Sequence, residues 1–221
     1  DILIRDYNFE TGGELTEEYL QKLQNAVAQI AAKRPWIKLW ALGGEIYAKF
    51  PAYWWSKDGS PEKAFGNYAK ILAAFVKGVK QGNPEAKVFQ DDPCNMSPAS
   101  GIAETDHLLA ETNKLGVKFD LIGIHPYRES PESPDLDSDT QILLDVLKKR
   151  GYENTKVFWP EGMQYGPYNF PQWGIKSASW GPPICWYYGA LSYDMGWTEK
   201  ISAAWRARTW LVALKYQDRV T

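Results

Sequence analysis

The chain has 221 residues, of which 24% are charged, and its formal net charge is −2. A chain of this length can bury one sizeable core, and a near-neutral charge balance argues against nucleic acid or an anionic membrane as a partner. The sequence contains no apolar run of transmembrane length, and its two cysteines, Cys94 and Cys185, are too few for a disulfide framework. Whether these two thiols pair stays open.

The first half of the chain alternates β-rich runs with amphipathic helices. A strand is predicted at Ile2–Tyr7, followed by a helix at Glu17–Ala32 with Thr16 as its N-cap. The next pair is a strand at Ile37–Leu42 and a helix at Pro61–Lys80, which opens on a proline suited to the first helical position.

The same alternation continues through the second half. Ser138 and Gln141 have the spacing of a capping box at the start of one helix, and Gly116 and Gly151 are expected to end two of the helices. The predicted strands lie at Lys87–Gln90, Phe119–His125 and Lys156–Trp159, and the predicted helices at Ile102–Leu115, Asp139–Arg150 and Glu199–Tyr216.

The two ends of the sequence indicate a longer protein. Asp1, rather than Met, leads directly into an apolar segment, and Asp218–Thr221 is typical of a strand that is just beginning. The last predicted helix, which carries Leu211 and Leu214 among its apolar residues, leads into that strand. We therefore expect the chain to be cut from a longer one, so the missing signal peptide says nothing about compartment.

Alternating strands and helices predict an α/β fold with a parallel sheet and helices outside it. No glycine-rich phosphate loop follows the first strand, which disfavours a dinucleotide-binding fold. We predict a (β/α)8 TIM barrel, incomplete in this chain, with residues 1–221 forming one domain.

Polar or charged side chains follow four consecutive predicted strands, where a barrel carries its function. Two of them, Glu45 and Glu161, lie directly at the ends of predicted strands that are three strands apart. They are expected to face the same open end of the barrel. Glycoside cleavage requires such a pair, because one carboxyl protonates the leaving oxygen while the other attacks the anomeric carbon or activates water. The full set is Glu45, Asp91, Asp92, His125, Tyr127, Arg128 and Glu161.

Three short segments resemble motifs of glycoside hydrolase clan A. The segment Trp40-Ala-Leu-Gly-Gly-Glu45 is similar to the strand-four motif, in which a Trp precedes the acid/base Glu by the same spacing. His125-Pro-Tyr127 resembles the strand-six His-x-Tyr, and Trp159-Pro-Glu161-Gly162 resembles the strand-seven nucleophile segment. Within the clan, families 39 and 5 look nearest. On this resemblance the chain would hold strands three to the start of eight and lack strands one and two.

The resemblance implies a retaining glycosidase with Glu45 as acid/base and Glu161 as nucleophile. Tyr127 would hydrogen-bond the nucleophile, which keeps that carboxylate ionised and in one rotamer, and His125 would line the site. The resemblance also implies a carbohydrate partner and a secreted or periplasmic location. There is one departure: the clan usually has Asn before its acid/base to bind the sugar 2-hydroxyl, and this chain has Gly44.

The 11 Trp and 13 Tyr are more than a core alone usually needs. Several of them lie in loop-like stretches, including the long stretch from Gln164 to Trp186. We interpret this stretch as a substrate wall, and an ordered loop packed upon itself is the alternative. The aromatic residues assigned to substrate binding are Trp55, Tyr165, Trp173 and Trp180.

Three strand-end residues, Asp91, Asp92 and Arg128, fit substrate contact and a structural role equally well. Neither His125 nor His107 belongs to a metal-ligand motif, and the sequence holds no Cys/His cluster. We therefore predict neither a catalytic metal nor a cofactor, and a structural role for His107 on its helix.

Two other classes of protein compete with a hydrolase. A catalytically inactive carbohydrate-binding barrel is favoured by Gly44, whereas retention of both Glu45 and Glu161 favours turnover, since a pure binder has no need of opposed carboxylates. A lyase or isomerase barrel commonly needs a metal, a Schiff-base lysine or a phosphate site, and no predicted strand end offers a lysine.

Overall fold

The computed structural model describes residues 15–42, 61–90, 96, 98–126, 135–159 and 199–220, without the side chains of residues 61–64, 135 and 199–206. Helices and strands alternate along these residues, as predicted. The helices are α1 (Glu17–Ala32), α2 (Pro61–Gly82), α3 (Gly101–Lys114), α4 (Asp135–Lys149) and α5 (Glu199–Lys215), and the strands are β1 (Leu39–Trp40), β2 (Lys87–Gln90), β3 (Leu121–Gly123) and β4 (Lys156–Phe158).

The four strands form one parallel sheet in the order β1-β2-β3-β4. Beyond β4, Val220 forms a single parallel bridge with Val157, in the segment where the sequence predicts the beginning of a strand. The predicted strand at Ile2–Tyr7 lies outside the described residues. The parallel α/β architecture is thus confirmed, and closure of the sheet into an eight-stranded barrel stays a prediction.

Helices that follow one another along the chain are also neighbours in space. Contacts join α1 to α2, α2 to α3, α3 to α4 and α4 to α5. A strand order without reversal, together with side-by-side helices, indicates that successive crossovers turn the same way and leave the helices on one face of the sheet. A (β/α) barrel also winds in this way, whereas a doubly wound sheet reverses its strand order and carries helices on both faces.

The two faces of the sheet differ in burial. The helix-packed face bears Val88, Ile122, Ile124 and Val157, which join the apolar side chains of the helices in one core. The open face bears Leu39, Phe89, Leu121 and Phe158, which are half-buried or exposed. The rings of Phe89 and Phe158 meet edge to face on this side, with centroids 5.7 Å apart. A closed barrel would turn this open face inward.

The helix ends follow local chemistry in three places. The Thr16 hydroxyl accepts a hydrogen bond from the Tyr19 backbone N–H at 3.1 Å, which confirms it as the N-cap of α1. Gly116 and Gly151 follow α3 and α4 with φ of 69° and 78°. These left-handed conformations favour glycine, and they confirm both residues as helix terminators.

The close crossing of α1 and α2 depends on two glycines. A Cβ built on Gly78 would lie 2.6 Å from the carbonyl oxygen of Gln24, and one built on Gly82 would overlap the carbonyl oxygen of Ala28. Both neighbours are backbone atoms of α1, so a side chain at either position would force the helices apart.

Several predicted boundaries were wrong. The capping box at Ser138 and Gln141 is not used, because α4 begins one turn earlier at Asp135. Acidic residues are favourable in the first turn of a helix, and the buried side chain of Leu136 makes apolar contacts that stabilise the extra turn. The predicted strands at Ile37–Leu42 and Phe119–His125 are shorter in the structure, because a strand extends only where its neighbour pairs with it.

Leu211 and Leu214 of α5 are 64% and 57% exposed, so they are not part of the core. Val212 and Ala213 pack against the core instead. None of the described helices combines the length and apolarity needed to cross a membrane.

Candidate functional site

The carboxyl ends of all four strands lie at one edge of the sheet, because the strands are parallel and in register. Long stretches of chain leave this edge: residues 41–60 after β1, 91–100 after β2, 124–134 after β3 and 159–198 after β4. At the opposite edge the connections are residues 33–38, 83–86, 115–120 and 150–155. The longer connections between the described elements therefore lie at the carboxyl end, where barrel enzymes carry their active sites.

His125 is the predicted site residue that the structure describes. It lies two residues beyond the end of β3 and is fully buried. Continued alternation along β3 would carry it to the open face, the side of Leu121. His125 therefore lies at the carboxyl end of the sheet, and its role in a site stays a prediction.

The other predicted residues lie outside the described part of the chain, so their roles also stay predictions. They comprise the two carboxylates assigned to catalysis, the tyrosine assigned to the nucleophile, and the polar and aromatic residues assigned to substrate. These residues are Glu45, Glu161, Tyr127, Arg128, Asp91, Asp92, Trp55, Tyr165, Trp173 and Trp180.

Two buried polar residues at this end were not predicted as site residues. Gln90, the last residue of β2, is 1% exposed, and Trp159, the residue after β4, is 7% exposed. With His125, a buried side chain that can form hydrogen bonds thus lies at or within two residues of the carboxyl end of each of the strands β2, β3 and β4. The sequence did offer one signal for Gln90. It is the last residue of the predicted strand Lys87–Gln90, and a glutamine in a buried strand is unusual.

The Trp159 indole is unusual in its hydrogen bonding. Its Nε1 is buried and has no hydrogen-bond partner in the part of the chain that the structure describes. A buried indole N–H usually finds a partner. Trp40, at the end of β1, differs, because its Nε1 donates to the carbonyl oxygen of Ile37 at 3.1 Å and thereby braces the approach to the strand.

One further carboxyl lies toward this end of the molecule. Glu104 is in the first turn of α3, which begins directly after the stretch that follows β2. Burial raises the pKa of its carboxyl. The sequence offered only an acidic residue in a first helical turn, which the helix dipole ordinarily explains.

His107 makes a packing contact between two helices. The His107 ring packs against Phe65 at a centroid distance of 5.2 Å, which is a contact between α3 and α2. Among the described residues, no three or more His, Cys, Asp or Glu side chains gather where they could hold a metal ion.

Comparison with known proteins concerns the fold. No family model matches the sequence, and no curated protein matches it either. Among solved structures, the chain is similar to a GH10 endoxylanase retrieved from a sugarcane soil metagenome, with a TM-score of 0.57 and 18% identity, covering 96% of this chain and 59% of that one. It is also similar to a glucosidase from Croceicoccus marinus, with a TM-score of 0.49 and 17% identity, covering 67% of this chain and 32% of that one.

These structures are both glycosidases, and the chain spans less than two thirds of the length of either. At this level of identity, the likeness to the endoxylanase shows a shared α/β fold. The nearer placement in family 39 or family 5 is not confirmed.

Proposed function

We propose that this chain belongs to a retaining glycoside hydrolase that cleaves O-glycosidic bonds of an oligo- or polysaccharide. The observation that carries the proposal is the strand order. Glu45 and Glu161 follow β1 and β4, which lie in one parallel sheet separated by β2 and β3, with their carboxyl ends at the same edge. The fold shared with the endoxylanase supports the same conclusion.

The distance between these two strands suits a retaining site only if the sheet curves. Neighbouring strands are about 4.8 Å apart, so three spacings in a flat sheet amount to roughly 14 Å. Retaining glycosidases hold their two carboxyl groups about 5–5.5 Å apart. Curvature of the sheet toward its open face, with both side chains pointing inward from that face, would shorten the separation by the needed amount.

The proposed chemistry follows from the two carboxyl groups. The Glu161 carboxylate attacks the anomeric carbon while Glu45 donates a proton to the leaving oxygen, which breaks the glycosidic bond and forms a covalent glycosyl-enzyme. Glu45 then removes a proton from water, which attacks the same carbon and releases Glu161. Tyr127 would donate a hydrogen bond to Glu161 and keep it ionised, and His125 would border the site.

A carbohydrate substrate also accounts for the aromatic residues assigned to binding. Faces of Trp55, Trp173 and Trp180 would cover the apolar C–H surfaces of sugar rings, as would Tyr165, while the sugar hydroxyls take polar partners. The polar side chains available at the strand ends are Asp91, Asp92 and Arg128.

The test is a panel of aryl glycosides and soluble polysaccharides, xylan among them, with the full-length protein. We expect hydrolysis whose first product, followed by NMR, keeps the anomeric configuration of the substrate. The inverted anomer as first product would contradict a nucleophilic role for Glu161.

Glu45→Ala supplies a second test within the same panel. We expect a large loss of kcat on substrates with poor leaving groups and a small loss on activated aryl glycosides, because only poor leaving groups need protonation. Equal losses on both classes would contradict the acid/base role.

A catalytically inactive carbohydrate-binding barrel is the second candidate, and Gly44 is the observation that favours it. Without an Asn at this position, the contact with the sugar 2-hydroxyl is lost. Binding of an oligosaccharide in calorimetry, without release of reducing ends over a long incubation, would support this candidate over the hydrolase.

We also propose a secreted or periplasmic location, on the resemblance to clan A. Fractionation of the source cells, with detection of the protein by antibody, tests it: recovery only from the cytoplasmic fraction would contradict it.

A further inference from the structure

Trp36 is the most exposed large apolar side chain in the part of the chain that the structure describes, at 71%. It lies in the connection between α1 and β1, at the amino end of the sheet. Single exposed apolar residues are common on protein surfaces, so the meaning of this exposure depends on what surrounds the ring.

The turn that carries Trp36 is held in place by several hydrogen bonds. Its four residues, 34–37, are closed by a bond from the N–H of the last to the carbonyl oxygen of the first, at 3.0 Å. The buried Asn83 amide donates to two carbonyl oxygens of the same turn, and the Trp40 Nε1 donates to one of them, that of Ile37, at 3.1 Å. A fixed backbone lowers the entropy that a surface loses when it binds a ligand.

Cationic side chains surround this turn. Lys33 and Arg34 precede Trp36, Lys38 follows it, and the Lys87 N–H donates to the Lys38 carbonyl oxygen at 2.8 Å, which places Lys87 beside them. All four cations are exposed. Within the described residues, none of the four pairs with a carboxylate.

The excess of positive charge is local, because the whole chain has a net charge of −2. Glu85 is the one acidic residue in the connections 33–38 and 83–86. The helix dipole accounts for Lys33, the C-cap of α1, but its effect falls off within the last turn and does not reach Lys38. Solvation alone explains exposed lysines, whereas an exposed tryptophan on a braced turn next to an arginine has the composition of a binding surface.

We propose that the Trp36 surface, formed by Lys33, Arg34, Trp36, Lys38 and Lys87, binds an acidic polysaccharide. The indole face would cover the apolar C–H surface of a sugar ring. The Arg34 guanidinium would hold a carboxylate of the polymer with two parallel hydrogen bonds, and the lysines would add charge attraction that salt screens. The choice of a polysaccharide rests on the proposed function.

The number of aromatic rings also favours a polysaccharide over a single-stranded nucleic acid. Nucleic-acid surfaces of this kind use several aromatic side chains, on which successive bases stack. The Trp36 surface offers one exposed ring among the described residues. Because it lies at the opposite end of the sheet from the residues proposed for catalysis, it would hold the polymer without contacting the bond that is cleaved.

Calorimetric titration of the full chain with polygalacturonate tests the surface. We expect Trp36→Ala and Arg34→Gln each to weaken binding by about fivefold or more, and Trp36→Tyr to recover most of the affinity. The matched controls are Trp210→Ala, an exposed indole on α5, and Lys22→Gln, whose ammonium pairs with Glu18 at 2.6 Å on α1. Equal affinity in wild type and Trp36→Ala, or an equal loss in Trp210→Ala, would overturn the proposal.

Competing ligands and salt sharpen the same titration. We expect neutral xylan to bind this surface at least about tenfold more weakly than polygalacturonate, and polygalacturonate to lose affinity between about 50 and 300 mM NaCl, as screening of surface charges requires. Tighter, Trp36-dependent binding of a single-stranded RNA or of phosphatidylserine vesicles would assign the surface to another class of partner and overturn the proposal.

Stability and turnover separate this surface from a packing role and from the proposed active site. Trp36→Ala should keep the urea midpoint and the kcat on aryl glycosides of the wild type. A lowered midpoint with unchanged binding would show that Trp36 packs within the protein, which would overturn the proposal. Hydrolysis of glycosides without binding of the acidic polymer would overturn the surface alone, whereas Trp36-dependent binding without hydrolysis of any glycoside would defeat the proposed function and leave the surface standing.

Discussion

The two ends of the sheet are built differently. At the amino end, polar side chains tie short connections to the backbone: the Asn83 amide donates to the carbonyl oxygens of Pro35 and Ile37, and the Arg219 guanidinium donates to those of Tyr152 and Thr155. At the carboxyl end, the connections are long, and buried side chains that can form hydrogen bonds lie at or just beyond three strand ends: Gln90, His125 and Trp159.

This difference indicates that the two ends of the sheet have different roles, one in stability and one in the proposed activity. At the amino end, the side chains of Asn83 and Arg219 donate hydrogen bonds to main-chain carbonyl oxygens, so their role is to stabilise the fold. The carboxyl end carries the residues proposed for catalysis, which is where barrel enzymes place their active sites. Substitutions at the two ends should therefore have separable effects on activity and stability.

The largest effect is expected from Glu161→Ala, at the carboxyl end. Loss of the nucleophile should lower kcat by about 10⁴-fold or more, with little change in the melting temperature. Azide could enter the vacated space and give a glycosyl azide of inverted configuration, detectable by NMR. A variant that keeps more than a tenth of wild-type turnover would remove Glu161 from the mechanism.

A large effect on stability alone is expected from Gly82→Ala, in the helix layer. The new Cβ would overlap the backbone of Ala28, and such overpacking costs roughly 1–3 kcal/mol of the free energy of unfolding. The matched control is Gly66→Ala in the same helix. Nothing lies within 4 Å of a Cβ at that position, so we expect a gain of up to about 1 kcal/mol. Equal urea midpoints for the two variants would show that α1 and α2 are not closely packed.

A smaller, pH-dependent effect is expected from Asp106→Asn. The hydrogen bond from Arg150 holds the pKa of the Asp106 carboxyl below its ordinary value of 3.8, with help from Lys149 and against the effect of burial. A lowered pKa in the folded state stabilises the protein above the unfolded value and loses that contribution as pH falls through the folded value. The variant should therefore be less stable by about 1–2 kcal/mol at pH 7, with the gap closing in acid. A gap in urea unfolding that is independent of pH would contradict an ionic contribution.

The smallest effect is expected from Asp120→Ala, at the amino end. The Asp120 carboxylate accepts from the Val88 N–H at 2.8 Å and pairs with Lys80 at 2.8 Å. Because Lys80 also donates to the Ala86 carbonyl oxygen, only the Val88 N–H loses its partner, at a cost of about 1 kcal/mol. Thermal melts should detect this loss, while kcat and KM should not change. A change in kcat would contradict the view that residues at the amino end affect stability and not activity.

Local patterns predicted the helices well because the forces that define them act within a few residues. Glu17–Ala32 was predicted with its bounds and its Thr16 cap, and Gly116 and Gly151 ended their helices as expected. The capping box at Ser138 failed because burial of Leu136, a contact made by the folded core, extended the helix backwards.

The candidate site was less accessible to prediction. Motif spacing located Glu45, Glu161 and His125 along the chain, but burial of Gln90 and Trp159 could not be read from it. Side-chain burial depends on elements that pack from elsewhere in the chain.

Within the described residues, the sequence by itself determined which segments form helices and strands, their parallel α/β class, and which strands are followed by polar residues, because periodicity and turn chemistry are local. Tertiary structure alone decided how far each strand extends, which face of the sheet each side chain joins, and that Leu211 and Leu214 stay exposed. These outcomes depend on hydrogen bonds and packing between residues far apart in sequence. Leu39 pairs with Lys87, and Leu121 with Lys156, and no local pattern specifies such partners.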